Sequence, residues 1–65
     1  MNEYSKALRD VLGKHGCYFV RHGKGDHDIW HSPISKEMVV VDSEIKSRHL
    51  ANKILKKAGI NHKFP

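Results

Sequence analysis

Apolar residues at Tyr4, Ala7, Leu8, Val11 and Leu12 fall at the spacings i, i+3, i+4, i+7 and i+8, which line one face of a helix of period about 3.6. Asn2 is suited to cap its start, Gly16 stands just past its end, and Gly13 is a weak spot in its last turn. The pattern then changes period. "CYFVR", residues 17–21, is aromatic and branched and follows a helix stop, which predicts a strand. A second strand is expected to begin near His27 and to end by Pro33, because proline cannot donate to a ladder. "HGKGD" between them reads as a hairpin loop whose glycines permit positive φ. "MVVVD", residues 38–42, reads as a third strand reached through the short linker "SPISKE". Leu50, Ala51, Ile54, Leu55 and Ala58 restore the helical period, with Ser47 as cap and Gly59 as stop.

The order is therefore α-β-β-β-α, an α+β fold. Two amphipathic helices and a three-stranded antiparallel sheet are most economically combined with both helices on one face of the sheet, the other face being left to solvent. Function is expected on that open face or its rim. The chain carries no internal repeat and no low-complexity segment, and residues 1–65 read as one domain.

Size narrows the chemistry. A chain of 65 residues buries only about 60% of the surface its unfolded form exposes, which leaves no room for a deep, enclosed active site. No large organic cofactor is expected. Cys17 is alone, so no internal disulfide forms and no cysteine-rich zinc pattern exists, which suits a reducing compartment. No apolar run approaches the roughly 20 residues of a membrane span, and "MNEYSKALRD" lacks the apolar core of a signal peptide. The expectation is a cytoplasmic protein with no membrane partner.

The net charge is +5, and its placement says more than its size. Residues 1–43 balance six basic side chains against six acidic ones, whereas residues 44–65 hold Lys46, Arg48, Lys53, Lys56, Lys57 and Lys63 against Glu44 alone. Such a field attracts polyanions, because each neutralised phosphate releases condensed counterions. A solvated helix face serving solubility is the plain alternative.

Six histidines raise the question of a metal. His27 and His31 lie on a predicted strand, where four residues separate them by roughly 13 Å, too far to share an ion. His22 and His27 approach across the hairpin, but two ligands do not make a structural site, so no metal is expected. "GKGD" lacks the spacing of a nucleotide-binding loop and is followed by a strand instead of a helix, although Lys24 and the loop N–H groups suit contact with a phosphate. His27 stands out because a strand fixes its backbone while a glycine loop leaves its ring accessible. Its flanking Asp26 and Asp28 point to the other side of the strand. With an unperturbed pKa of about 6.5, imidazole moves protons at neutral pH. If the polyanion is RNA, one such group suffices without metal, since the 2′-hydroxyl is already next to the scissile phosphate and cationic side chains offset charge on the phosphorane. DNA lacks that hydroxyl, so this chemistry selects RNA.

A helix ending in "LGKHG", the strand "YFVR", the segment "GKGDHDIW" at 23–30, the strand "MVVVD" and the ending "SRHLANKILKKAGI" at 47–60 together resemble the HicA-type toxins of bacterial and archaeal toxin–antitoxin pairs. The resemblance runs over nearly the whole chain. It implies a fold like the double-stranded RNA-binding domain. It also implies metal-independent cleavage of mRNA, with a HicB-type antitoxin as protein partner and no DNA binding by the toxin alone. The family's catalytic histidine falls on His27. Gly25-Asp26 precedes it where Gly-Ser is common, a pattern of a "GDH" branch that puts a carboxylate beside the imidazole. His49, in "SRH", belongs to the same branch pattern and is a candidate for contact with phosphate or antitoxin.

The reading is thus an mRNA interferase with His27 as general acid or base, Lys24 and Arg21 near the phosphate, and Arg48, His49, Lys53, Lys56 and Lys57 holding the RNA backbone. Trp30 alternates away from His27 and reads as a sheet packing residue, with stacking on an unpaired base as the alternative. Two rivals share the same residues. One is a non-catalytic module of the same fold that reads A-form RNA by shape; the other is an adaptor whose basic face pairs with an acidic protein.

Overall fold

The computed structural model describes residues 4–65. The elements follow in the order α1 (Ser5–Lys14), β1 (Tyr18–His22), β2 (His27–Ser32), β3 (Glu37–Asp42) and α2 (Arg48–Lys57). The three strands form one antiparallel sheet in the order β1-β2-β3. Alternation along β3 divides its faces: Val39 and Val41 are buried, while Met38 and Val40 are about half exposed. The buried positions join Leu8 and Leu12 of α1, Ala51, Ile54 and Leu55 of α2, and Ile45 in one core. Both helices therefore cover the same side of the sheet, as the sequence pattern requires.

The start of α1 differs from expectation. The Asn2 cap lies outside the described residues, and Tyr4 occupies the cap position with no side-chain hydrogen bond. Tertiary bonds do that work: Tyr4 N–H donates to Ile45 O at 2.7 Å, and Ser5 Oγ, itself buried, donates to Ser43 O at 3.2 Å and accepts from Ile45 N–H at 2.9 Å. Ser5 thus takes an inward place on α1, and Ala7, assigned to the apolar face, is exposed. At the other end, Cys17 N–H closes the helix on Leu12 O at 3.0 Å. Its donor is spent there, so β1 begins at Tyr18 and not at Cys17.

Ser47 caps α2 as expected, its Oγ accepting from His49 N–H at 3.1 Å and Leu50 N–H at 3.4 Å. Beyond α2 the chain is tied back, with the Asn52 side-chain amide bonded to both backbone groups of Phe64 at 2.7 and 3.1 Å. The Phe64 ring packs on Tyr4, with centroids 5.4 Å apart.

Ser32, at the end of β2, is fully buried and joins the sheet to α2. Its Oγ donates to Ala58 O at 2.6 Å and accepts from Ile34 N–H at 3.2 Å and Ser35 N–H at 3.3 Å. Ser32→Ala strands a helix-end carbonyl in the core and opens the β2–β3 turn. We expect a loss of about 1–3 kcal/mol, the usual cost of an unsatisfied buried group. Urea unfolding measures it, and an unchanged midpoint would show that water replaces the hydroxyl.

Candidate functional site

His27 is the first residue of β2, and its backbone is held from two sides. Gly23 N–H donates to His27 O at 2.7 Å, and Ser43 N–H donates to Asp26 O at 2.9 Å. Both glycines of "GKGD" are required by this hairpin. Gly25 has a φ of +67°, and a Cβ on Gly23 would lie 3.0 Å from Ile29 Cδ1 and 3.3 Å from His27 O. Lys24 stands exposed between them at the tip of the loop. The His27 side chain keeps 48% of its surface open to solvent.

The ring is not free to turn. His27 Nδ1 lies 2.6 Å from Asp42 Oδ1, across the β2–β3 ladder in which the two residues are direct partners. A carboxylate only accepts, so the hydrogen of this contact belongs to Nδ1, and a neutral ring then presents Nε2 as a bare acceptor. The carboxylate that engages the imidazole is Asp42. Asp26, adjacent in sequence, contributes its backbone carbonyl to the Ser43 bond.

Asp28 faces the helix side, where it accepts from His22 Nδ1 at 2.8 Å and meets Arg9 at 3.7 Å. His22 and His27 are thus turned to opposite faces of the sheet, each toward its own carboxylate. Among the described residues no group of three histidine, cysteine, aspartate or glutamate side chains is arranged around a common point. Trp30 packs against the core on the helix side, away from His27.

A β-bulge decides where Arg21 goes. Phe19 pairs with Trp30, but Arg21 pairs with Ile29, so Val20 is an extra residue in β1. Without it Arg21 would follow Phe19 to the helix side; with it Arg21 shares the open face with Ile29 and His27. Arg21 and His27 are then diagonal neighbours, with backbones roughly 7–8 Å apart.

The other predicted RNA-contacting residues lie on α2. Arg48 and His49 form its first turn, which contains no acidic residue. Lys53, Lys56 and Lys57 line a groove of about 780 Å³ between α2 and β3, a groove that also reaches Asp42. His49 lines a different cleft of about 520 Å³, shared with Lys53, Lys56, His62 and Lys63. His27 is therefore paired with Asp42 and shares its sheet face with Arg21, while His49 lines a separate cleft.

Asp42 is the residue that reading the sequence missed, and the signal was available. Once Ser32 is set opposite Glu37 by the short turn, stepping five residues back along β2 and five forward along β3 sets His27 opposite Asp42. The Val20 bulge left no comparable trace.

Comparison with known proteins gives one finding. A family model described as "HicA toxin of bacterial toxin-antitoxin" matches residues 5–60. No curated protein and no solved structure gives a match. The matched span opens with α1, takes in the His27–Asp42 pair and the cationic α2, and ends at Ile60 just past the second helix stop. With nearly the whole fold inside it, the chain belongs to the HicA toxin family of bacterial toxin–antitoxin systems.

Proposed function

We infer that the protein is a toxin of the mRNA interferase type, an endoribonuclease in which His27 moves the proton and Asp42 orients the ring. The observation that carries this reading is the 2.6 Å contact between His27 Nδ1 and Asp42 at the solvent-reachable end of the β2–β3 ladder. With hydrogen held on Nδ1, Nε2 is free to take the proton of a ribose 2′-hydroxyl. The 2′-oxygen then attacks the adjacent phosphorus, the bond to the 5′-oxygen breaks, and that oxygen is protonated from solvent on the open face. The products are a 2′,3′-cyclic phosphate and a 5′-hydroxyl. Arg21 and Lys24 offset charge on the phosphorane, and Arg48, His49, Lys53, Lys56 and Lys57 bind the RNA backbone. A HicB-type antitoxin is the protein partner that family membership suggests.

The first turn of α2 supports a polyanionic ligand independently. A helix N-terminus already carries partial positive charge, and stability favours acidic residues there. This helix begins with Arg48 and His49. Arg48→Glu is accordingly expected to stabilise the fold by about 0.3–1 kcal/mol while weakening RNA binding. Thermal melting and RNA titration at fixed salt read the two effects; a weaker fold would overturn the charge argument at the helix start, and an unchanged affinity would remove Arg48 from the footprint.

The activity is tested by incubating the purified protein with a mixed RNA in the presence of a chelator and analysing the new ends. Cyclic phosphate ends, with DNA of the same sequence left intact, are the expected result. RNA that binds but stays whole would leave the non-catalytic module as the reading.

A further inference from the structure

The two edges of the sheet are built differently. β1 is broken by the Val20 bulge, a common device for blunting an exposed edge. β3 runs without interruption through six consecutive pairs with β2, carries no proline, and among the described residues has no strand on its outer side. Its residues Met38, Val39, Val40 and Asp42 line one side of the groove that α2 overhangs.

The groove has a sided chemistry. Val40 and Met38 keep about half their surface exposed, 49% and 52%, and Leu50 and Ile54 supply apolar floor beneath α2. Along the helix wall stand Lys53, Lys56 and Lys57. Lys57 is 3.9 Å from Glu37, but among the described residues Lys53 and Lys56 meet no carboxylate. These lysines guard the edge against a second copy of this chain, because pairing β3 with β3 would bring two such sets together. They admit a strand of opposite charge.

We propose that this groove docks an extended acidic segment of a partner protein, which pairs with the free edge of β3 as a fourth strand. Its carboxylates meet Lys53 and Lys56, and its alternate apolar side chains cover Met38 and Val40. Strand addition supplies main-chain hydrogen bonds for affinity, while the lysines select charge. A segment matching β3 is six residues, about 20 Å long. The consequence for regulation rests on the nuclease reading: a strand lying against Asp42 crowds the His27 pair and occupies lysines that would otherwise bind RNA. Docking itself does not depend on that reading.

The probe is a synthetic peptide of about eight residues alternating glutamate and valine, with a twin N-methylated at every second residue. The twin keeps the charge and cannot form the ladder. Binding is followed by amide NMR on the wild-type protein and on His27→Ala, with a short RNA titrated in parallel. The expected result is that the plain peptide binds both proteins and slows exchange of the β3 amides not bonded to β2. The methylated twin and Lys53→Glu/Lys56→Glu should each lose about tenfold or more in affinity. Equal binding of the twin would reduce the effect to charge and overturn the proposal. So would absence of peptide binding, or self-association through β3. Peptide binding without RNA cleavage would sink only the nuclease reading, and cleavage without peptide binding would sink only the docking.

Discussion

His27→Ala is expected to lower the rate of RNA cleavage by roughly two to four orders of magnitude, the usual share of a positioned acid–base group. Stability should move by no more than about 0.5 kcal/mol, because the ring is half exposed and lies outside the core. Asp42→Asn is the sharper experiment. Asparagine preserves shape, but its amide has a donor as well as an acceptor. Turned one way it accepts the Nδ1 hydrogen as before; turned the other it donates to Nδ1, moves the ring hydrogen to Nε2 and removes the base. Where an aspartate sets a histidine tautomer in this manner, the loss reaches about 10⁴-fold in turnover. Single-turnover cleavage should therefore fall with little change in RNA affinity, and ring nitrogen shifts should report a mixed tautomer. A substituted enzyme as fast as the wild type, with the Nε2–H form populated, would show that the Asp42 contact plays no part in proton transfer.

The periodicities carried the architecture because each element announces itself by a pattern with a physical cause. Leu8 and Leu12 recur at helical spacing and are buried, and Val39 and Val41 alternate and are buried. Ser47 caps α2 through the side-chain geometry its residue type suggests. What stayed hidden was long-range or local irregularity. The cap of α1 is supplied by Ile45 O, forty-one residues away from Tyr4, and no local motif encodes it. The bulge at Val20 depends on how β1 fits β2, and it alone carries Arg21 to the face of His27. At the site, His27 was legible from its glycine loop and its strand. Its partner was not, because attention to sequence neighbours favoured Asp26 over the cross-strand Asp42. The division is physical: burial periodicity is written locally, whereas the contact between His27 and Asp42 is made between strands.

Leu55→Ala is expected to be among the most damaging single changes to the fold. Leu55 is fully buried on α2 in the core shared with α1 and β3. Truncating such a leucine costs about 2–5 kcal/mol, from lost transfer energy and the cavity left behind. A domain of 65 residues commands a total stability of roughly 3–10 kcal/mol, at about 0.05–0.15 kcal/mol per residue. The substitution therefore removes a large part of it and, at about 4–8 °C per kcal/mol, lowers the melting temperature by about 8–40 °C. Leu50→Ala, on the half-buried rim of the same helix, should cost distinctly less. Denaturant unfolding separates the two, and equal losses would mean that the helix tolerates a cavity by shifting on the sheet. The comparison also governs how loss of toxicity is read. Leu55→Ala relieves growth arrest by depleting folded protein, with a displaced unfolding midpoint. His27→Ala relieves it with the midpoint in place, and only that combination assigns the chemistry to the imidazole.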